Sequence, residues 1–273
     1  MHASACVQMH GERKRTHMMT NQEIMRIAKE QSARDLNCRA EDFDRQENVI
    51  VPSRIKAEAR RYYKEPLPCN LVSYGNNIVA SVKEEYRETV EKYLDRYSFY
   101  HCFETPNMLV LDEALQRMGQ RVCFMAEYFL PDVKALHAPE CPYETKLLEQ
   151  KDFDGLYIDS WSNALCADRK ELDVLGIGAY EQGRLVGLAG CSADCDTMWQ
   201  IGVDVLPEFR RKGIASALTG RLALEILKRG KVPFYCAAWS NIRSVRNALK
   251  CGFLPVWVEM TAKPQKIVDD MNR

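Results

Sequence analysis

The stretch from Gln200 to Leu218 reads QIGVDVLPEFRRKGIASAL, and it decides the fold of the region around it. Its first part has apolar residues at alternate positions, as in a β-strand, namely Ile201, Val203 and Val205. Pro207 ends that strand because proline has no N–H for a β-ladder. Apolar residues then recur every four positions, as on the buried face of a helix, namely Ile214, Leu218, Leu222 and Ile226. The stretch therefore predicts a strand, a turn and a helix in direct succession.

The turn between the strand and the helix combines positive charge with a glycine. The first amides of a helix have no partner within it, and the helix dipole adds partial positive charge at the same end. Phosphate binds well at such a place. Gly213 lets the backbone approach a ligand where a Cβ would collide. The turn residues expected to bind phosphate are Arg210, Arg211, Lys212, Gly213, Ile214 and Ala215.

The spacing Arg-x-x-Gly-x-Ala after Val-x-Pro resembles motif A of the GCN5-related N-acetyltransferases, the GNAT superfamily. Motif A has the form Gln/Arg-x-x-Gly-x-Gly/Ala, and in that family the turn holds the pyrophosphate of acetyl-CoA. Arg211 through Ser216 match that turn here. The resemblance covers about residues 145–262. It implies an acetyl-CoA-dependent transfer of an acetyl group to a primary amine of a small molecule, by direct attack in a ternary complex. The competing interpretation is a basic helix start that binds no ligand.

Composition excludes several other classes of protein. The chain has 273 residues, 46% of them hydrophobic and 28% charged, which is typical of a globular protein. The 38 basic residues (Lys and Arg together) balance 38 acidic ones (Asp and Glu together), so no net charge favours binding to nucleic acid or to an anionic membrane. No apolar run approaches the roughly 20 residues of a membrane span. Residues 1–18 lack the apolar core of a secretory signal and are predicted to be a disordered tail.

The cysteines favour a reducing compartment. There are eleven of them, an odd number, scattered from Cys6 to Cys251. This pattern fits free thiols in a cytoplasmic protein better than a disulfide framework. Cys191 and Cys195 have no second ligand pair, and only five histidines are present, so no metal site is expected.

Three prolines within twelve residues, Pro131, Pro139 and Pro142, indicate a domain boundary near 132–142. The predicted fold class is mixed α/β. An N-terminal α/β domain of unknown role (19–135) precedes a GNAT domain (142–263) and a short tail (264–273). The first half resembles the amino-terminal half of some two-domain bacterial acetyltransferases, and a degenerate copy of the same fold there stays open. This half has no catalytic signature, and it either shapes the acceptor site or forms a homodimer.

Local patterns predict most elements of both halves. In the first half, Ser53 is expected to cap a helix that ends before Pro66, two strands flank a turn at 75–77, and two helices precede a strand at 121–128. In the second half, the order is helix, strand, strand, strand, helix, strand, helix, strand, which matches the acetyltransferase fold. Its first helix is expected at 147–164. Its last helix is expected to bury Ile242, Val245 and Leu249.

The resemblance also implies where the cofactor arm lies. In the family, strands four and five splay apart, and the pantetheine arm lies between them and pairs with the backbone of the fourth like an added strand. The matching positions here are Val203 and Val205. Asn241 matches an asparagine that contacts the cofactor, and helix capping is an equally weighted alternative.

The catalytic groups depart from the family pattern. Many members use a tyrosine four residues before the glycine of a Gly-Phe pair as the general acid, but counting back from Gly252 gives Ala248. The strand positions that often carry the base are Trp199 and Cys236. Cys236 is either a proton donor to the leaving thiolate or a small buried hydrophobe.

Carboxylates that act through water are a second option, and positioning of the reactants without acid–base groups is a third. Glu171 and Asp173 precede a strand, and Glu259 lies on the last strand. Asp204 alternates with the cofactor-binding valines and should face away from them, so Glu259 and Glu171 are preferred.

Five aromatic residues could surround the site or simply pack in the core, namely Trp161, Tyr180, Trp199, Trp239 and Trp257. If they line the pocket, an apolar or aromatic amine is the expected acceptor. The missing tyrosine leaves two alternatives to a small-molecule enzyme. One is a non-catalytic acyl-CoA-binding or regulatory module, and the other is a protein acetyltransferase.

Overall fold

A computed structural model describes residues 19–273, and the predicted tail at 1–18 lies outside the described residues. The helices are α1 (Asn21–Leu36), α2 (Arg87–Arg96), α3 (Thr105–Gln116), α4 (Ile214–Lys228), α5 (Ile242–Lys250) and α6 (Gln265–Met271). The strands are β1 (Val49–Pro52), β2 (Cys69–Ser73), β3 (Val79–Val82), β4 (Gln120–Pro131), β5 (Glu144–Glu149), β6 (Asp173–Glu181), β7 (Arg184–Ser192), β8 (Met198–Val205), β9 (Val232–Ala237) and β10 (Phe253–Pro264). The mixed α/β class is therefore confirmed. Within the described part, no helix is both long and apolar enough to cross a membrane.

All ten strands belong to one sheet with the order β1-β3-β2-β10-β4-β9-β8-β7-β6-β5. Strand β4 precedes the proline-rich segment, yet it lies between β9 and β10, which follow that segment. The two halves of the chain therefore share one hydrogen-bonded surface. The division into two domains and the degenerate copy stay predictions.

The succession of strand, turn and helix predicted at 200–218 is confirmed. Strand β8 is followed by a 3-10 turn at Pro207–Phe209 and then by α4. The four apolar residues spaced along α4 are at most 1% exposed. Burying each such side chain contributes about 1.5–3 kcal/mol, so this helix is fixed firmly on the sheet.

The helices are divided between the two faces of the sheet. Helices α4 and α5 share a core cluster with Tyr235 of β9, and α2 and α3 pack with Met260 of β10. Helix α1 covers the other face, where it packs with Phe234 and Trp257. Neighbouring residues of β9 thus point to opposite faces. The segment 53–68 lies on the α1 side, and this face carries the pocket described below.

The prediction of a helix at 147–164 is wrong. Strand β5 pairs with β6 along its whole length, and short 3-10 turns follow it. Gly155 has a φ of +81°, which interrupts any helix. The segment then packs so closely on β8 that a Cβ on Gly202 would lie 1.7 Å from the Asn163 carbonyl oxygen. Sheet packing, not helical periodicity, explains its apolar residues.

The helix predicted after Ser53 is also wrong. Residues 53–68 form turns and extended backbone, and the Ser53 hydroxyl donates to the Leu67 carbonyl (2.8 Å) instead of capping a helix. Pro66 and Pro68 favour this extended course. As a result, Tyr63 reaches across to β10.

Helix α5 buries less than expected. Val245 packs against the core, but Ile242 and Leu249 are 50% and 48% exposed. The prediction that all three face inward is therefore wrong for two of them, because α5 touches the sheet along a narrow stripe. The predicted hairpin around 75–77 and the strands β6 and β7 are confirmed.

The pH dependence of stability should reflect Asp173, which is 1% exposed and accepts a hydrogen bond from the Cys166 amide (2.8 Å). Burial raises the pKa of Asp173 from its ordinary value to about 6. The folded state thus binds this proton more tightly than the unfolded state. The resulting stabilisation is complete below the unfolded pKa and is lost as pH rises through 6.

Because of this carboxyl, we expect the free energy of unfolding to fall by roughly 1 kcal/mol as the pH rises from about 5 to about 7. Urea unfolding of the wild type and Asp173→Asn at both pH values measures it. The variant should gain stability relative to the wild type as pH rises. A constant difference between the two proteins would contradict the assignment.

Candidate active site

Strands β8 and β9 diverge in the middle of the sheet. They pair in parallel at only three positions, the last being Gln200 with Phe234. Beyond it, β8 continues beside β7 while β9 pairs with β4. The Leu206 amide donates to the Val186 carbonyl (3.0 Å), so by alternation the backbone groups of Val203 and Val205 point into the gap. An extended ligand can pair with this edge, where the Val205 carbonyl already accepts one hydrogen bond from the Arg210 side chain.

The predicted phosphate turn lies at the end of this edge. Gly213 has a φ of +82° and Arg211 a φ of +64°, and no side chain caps the start of α4. The Ile214, Ala215 and Ser216 amides form the first turn, where no helical carbonyl precedes them. A Cβ on Gly213 would meet no atom within 4 Å, so the space in front of these amides is open.

Two of the three cations in the turn are held by protein groups. Arg210 Nε donates to the Val205 carbonyl (3.0 Å). Lys212 Nζ donates to the Tyr143 hydroxyl (2.9 Å) and lies 4.9 Å from the centre of the Phe209 ring. The hydrogen bond to Tyr143 raises the pKa of Lys212, so this side chain stays charged. The turn is therefore positively charged and largely fixed in place.

Asn241 caps α5, since its side-chain oxygen accepts from the Ser244 amide (3.2 Å). Its side chain is exposed. Of the two roles weighed from the sequence, capping is thus observed, and contact with a cofactor stays a prediction.

A pocket of about 470 Å³ lies on the face of the sheet opposite α4. It runs along β4 and β10 from the β8–β9 gap to α6, and residues 62–68 cover it. The lining residues are Tyr62, Tyr63, Lys64, Glu65, Pro66, Leu67, Pro68, Lys83, Gln120, Phe124, Tyr128, Gln200, Cys236, Glu259, Thr261, Lys263, Pro264 and Ile267.

The inner end of the pocket meets the base of the gap. Gln200 Nε2 donates to Cys236 Sγ (3.1 Å), and Tyr128 lies directly opposite Cys236 on β4. Gln200 is the last β8 residue paired with β9. A ligand arm that enters through the gap from the α4 side would therefore end beside these three residues.

Glu259 is a buried carboxylate inside this pocket, only 3% exposed. Its Oε1 atom accepts hydrogen bonds from the Tyr63 hydroxyl (2.7 Å) and from Asn70 Nδ2 (2.9 Å). Both donors are neutral, and within residues 19–273 no cation forms an ion pair with it. The carboxylate is thus oriented by neutral donors and has no counter-ion, an arrangement that suits a general base.

Cys236 is a poor proton donor in this environment. Burial raises the pKa of its thiol to about 12, and the charge of Glu259 acts in the same direction. An ordinary thiol has a pKa near ~8.5, so proton transfer from Cys236 to a leaving thiolate would be uphill. The geometry places Cys236 at the predicted position but disfavours the predicted role.

The other predicted groups lie outside the pocket. Glu171 is exposed in a 3-10 segment, where its backbone carbonyl accepts from Gln150 (3.3 Å). Asp204 holds a neighbouring segment, since its carboxylate accepts from the Asn163 and Ala164 amides (2.8 and 3.0 Å). None of the five aromatic residues proposed from the sequence lines the pocket, which instead has Tyr62, Tyr63, Phe124 and Tyr128.

The sequence pointed to no catalytic residue in the first half, yet Tyr63, Asn70 and Tyr128 contribute to the pocket or to its carboxylate. Burial and the charge of Glu259 raise the pKa of Tyr128 well above its usual value. Its hydroxyl makes no hydrogen bond with any described residue. Tyr128 thus offers a protonated hydroxyl, although Ala248, the position of the family tyrosine, is fully buried. The insertion of β4 beside β9, which places Tyr128, left no signal in the sequence.

A family model described as GNAT acetyltransferase matches residues 70–256, more than half of the chain. The chain belongs to the GNAT acetyltransferase family. The match begins well before residue 145, where the sequence resemblance began. Asn70 and Tyr128 therefore fall inside the family region, whereas Tyr63 and Glu259 fall outside it.

Solved structures of GNAT proteins are similar to this GNAT chain at low identity. A GNAT-family acetyltransferase from Novosphingobium aromaticivorans is 20% identical over 53% of this chain and 66% of its own, with a TM-score of 0.43. A GCN5-related N-acetyltransferase-like protein from Streptococcus suis is 20% identical over 58% and 69%, with a TM-score of 0.44. An aminoglycoside N-acetyltransferase in complex with CoA is 20% identical over 44% and 93%, with a TM-score of 0.34.

The match thus spans just under two thirds of the first of these chains. A comparison with curated proteins found no match. The family assignment rests on the family model.

Proposed function

We propose that this protein transfers an acetyl group from acetyl-CoA to a primary amine of a small molecule. The observation that carries the proposal is the continuity of three features: the phosphate turn, the β8–β9 gap and the pocket that contains Glu259. The turn and the free edge of β8 would bind the cofactor on the α4 side. The acceptor would enter from the opposite face, so both reactants would meet at the base of the gap.

In this scheme Glu259 accepts the proton of the substrate ammonium, and Tyr63 and Asn70 hold its Oε1 atom in position. The amine can then attack the thioester carbonyl directly within the ternary complex. As the new C–N bond forms, the C–S bond breaks, and CoA leaves as its thiolate and takes up a proton from solvent. The hydroxyl of Tyr128 and the thiol of Cys236 stay protonated, so they can donate hydrogen bonds at the inner end of the pocket. Holding both reactants in one place supplies much of the acceleration.

The size of the pocket supports a small acceptor over a protein side chain. Sites for small molecules typically enclose about 300–1,000 Å³, and this pocket falls within that range. The free cysteines among the described residues, ten in number, agree with a reducing compartment such as the cytoplasm. The homodimer stays a prediction.

The proposal is tested by measuring CoA release from acetyl-CoA with a panel of primary amines. Turnover that depends on the amine supports it. Binding of acetyl-CoA without turnover of any amine would favour the non-catalytic module. Turnover with protein substrates alone would favour a protein acetyltransferase.

Substitution of Cys236 by serine should change the rate by less than about tenfold and leave the pH–rate profile unchanged. The reason is that the thiol, with a pKa of about 12, does not titrate in the range where the enzyme can be assayed. The measurement is kcat/KM from about pH 6 to pH 9. Loss of a basic limb from the profile would show that Cys236 is an acid after all.

A further inference from the structure

Strand β10 arranges three polar residues along the pocket. Glu259, Thr261 and Lys263 alternate on the strand, and all three line the cavity. At the usual rise per residue, the Cα atoms of Glu259 and Lys263 are about 13 Å apart. The pocket therefore has a carboxylate near its inner end and an ammonium near its outer end.

The outer end is rich in unpaired positive charge. Lys83 lies beside Pro68 and lines the pocket with Lys263 and Lys64, and the only carboxylate besides Glu259 among the lining residues is Glu65. Within residues 19–273, none of these three lysines forms an ion pair or a side-chain hydrogen bond. Lys83 and Lys263 are partly buried, which strengthens their attraction for an anion.

Two buried polar atoms without partners line the pocket, one between its ends and one at the outer end, where Gln120 pairs with Pro264. Thr261 Oγ1 has no hydrogen bond, and this residue is 6% exposed. Gln120 Oε1 is also without a partner, although its Nε2 donates to the Tyr86 hydroxyl (2.9 Å). Unsatisfied buried polar groups are uncommon and cost about 1–3 kcal/mol each, so a polar ligand that bonds to them would be favoured.

We infer, on the basis of the proposed function, that the acceptor is an amine with an anionic group at its far end. The amine would lie at Glu259 and the anionic group at Lys263 and Lys83. The chain between them would pass Thr261 and the ring of Phe124. Such a ligand matches both ends of the pocket, whereas a simple alkylamine matches only the inner end. Carboxylate and phosphate share this chemistry.

The test compares ω-amino carboxylates and ω-aminoalkyl phosphates with n-alkylamines of the same length. Both kcat/KM for CoA release and calorimetric affinity in the presence of CoA are measured. We expect the anion-bearing amines to exceed the alkylamines by about tenfold or more in both. The better of the two anion series identifies the group.

Lys263→Met keeps the aliphatic stem and removes the charge. It should lower kcat/KM for the anion-bearing amines far more than for the alkylamines and so abolish most of the preference. Lys266→Met is the matched control, because Lys266 is exposed on α6 and does not line the pocket. This control should keep the full preference.

The outcomes separate this inference from the proposed function. The inference is overturned if wild-type kcat/KM is the same for alkylamines and anion-bearing amines, or if Lys263→Met lowers kcat/KM equally for both classes. Either result leaves the acetyltransferase activity intact. Tight, Lys263-dependent binding without turnover supports the inference and overturns the proposed function. Failure of every anion-bearing amine to bind overturns the inference.

Discussion

Glu259→Gln should lower kcat/KM for acetyl transfer by about 100-fold to 10,000-fold, the usual contribution of a general base. Glutamine has nearly the same size and can still accept hydrogen bonds from Tyr63 and Asn70, but it cannot take the proton from the ammonium. The measurement is the initial rate of CoA release at saturating acetyl-CoA, with any amine that the wild type accepts.

Two controls make this result specific. Calorimetric affinity for acetyl-CoA should be unchanged in Glu259→Gln, since the pocket lies on the far side of the gap. Glu171→Gln tests the rival carboxylate, which is exposed and outside the pocket, and it should keep wild-type rates. Full activity of Glu259→Gln, or a loss confined to Glu171→Gln, would remove Glu259 from the mechanism.

Gly213→Glu should weaken acetyl-CoA binding by at least about 100-fold. The variant puts a carboxylate in the open space before the α4 amides, where it would compete with and repel the pyrophosphate. The positive φ of Gly213 also strains any L-residue, by about 1–2 kcal/mol. Calorimetry measures the affinity, and thermal unfolding reports the strain.

Gly213→Asn separates these two effects. Asparagine tolerates positive φ better than most residues and carries no charge. We expect it to unfold at or above the temperature of Gly213→Glu, since asparagine is less strained there, and to retain most of the affinity. If both variants lose affinity equally, then backbone conformation and not phosphate binding explains the result.

The part of the fold near the motif could be predicted because its signals are local. The alternation in β8, the proline after it and the four-residue period of α4 lie within one short stretch, and each acts through neighbouring residues. The prediction of a helix at 147–164 was wrong for the opposite reason. Its apolar residues are placed by contact with Gly202 and the sheet, and no local period describes such contacts.

Local sequence patterns likewise predicted only part of the pocket. Glu259 and Cys236 could be named from their positions on strands matched to the family. The groups that complete the site come from a distant part of the chain: Tyr63 from a segment expected to be helical, Asn70 from β2 and Tyr128 from the inserted strand β4. Their approach depends on strand order, which short-range patterns do not determine.

The turn and the β8–β9 gap are expected to hold acetyl-CoA. Calorimetric titration with acetyl-CoA, beside CoA that lacks the acetyl group, measures this binding. We expect both ligands to bind with micromolar dissociation constants, because the pyrophosphate and the arm are common to them. No binding at millimolar ligand would contradict the claim and would mean that the motif serves only the fold.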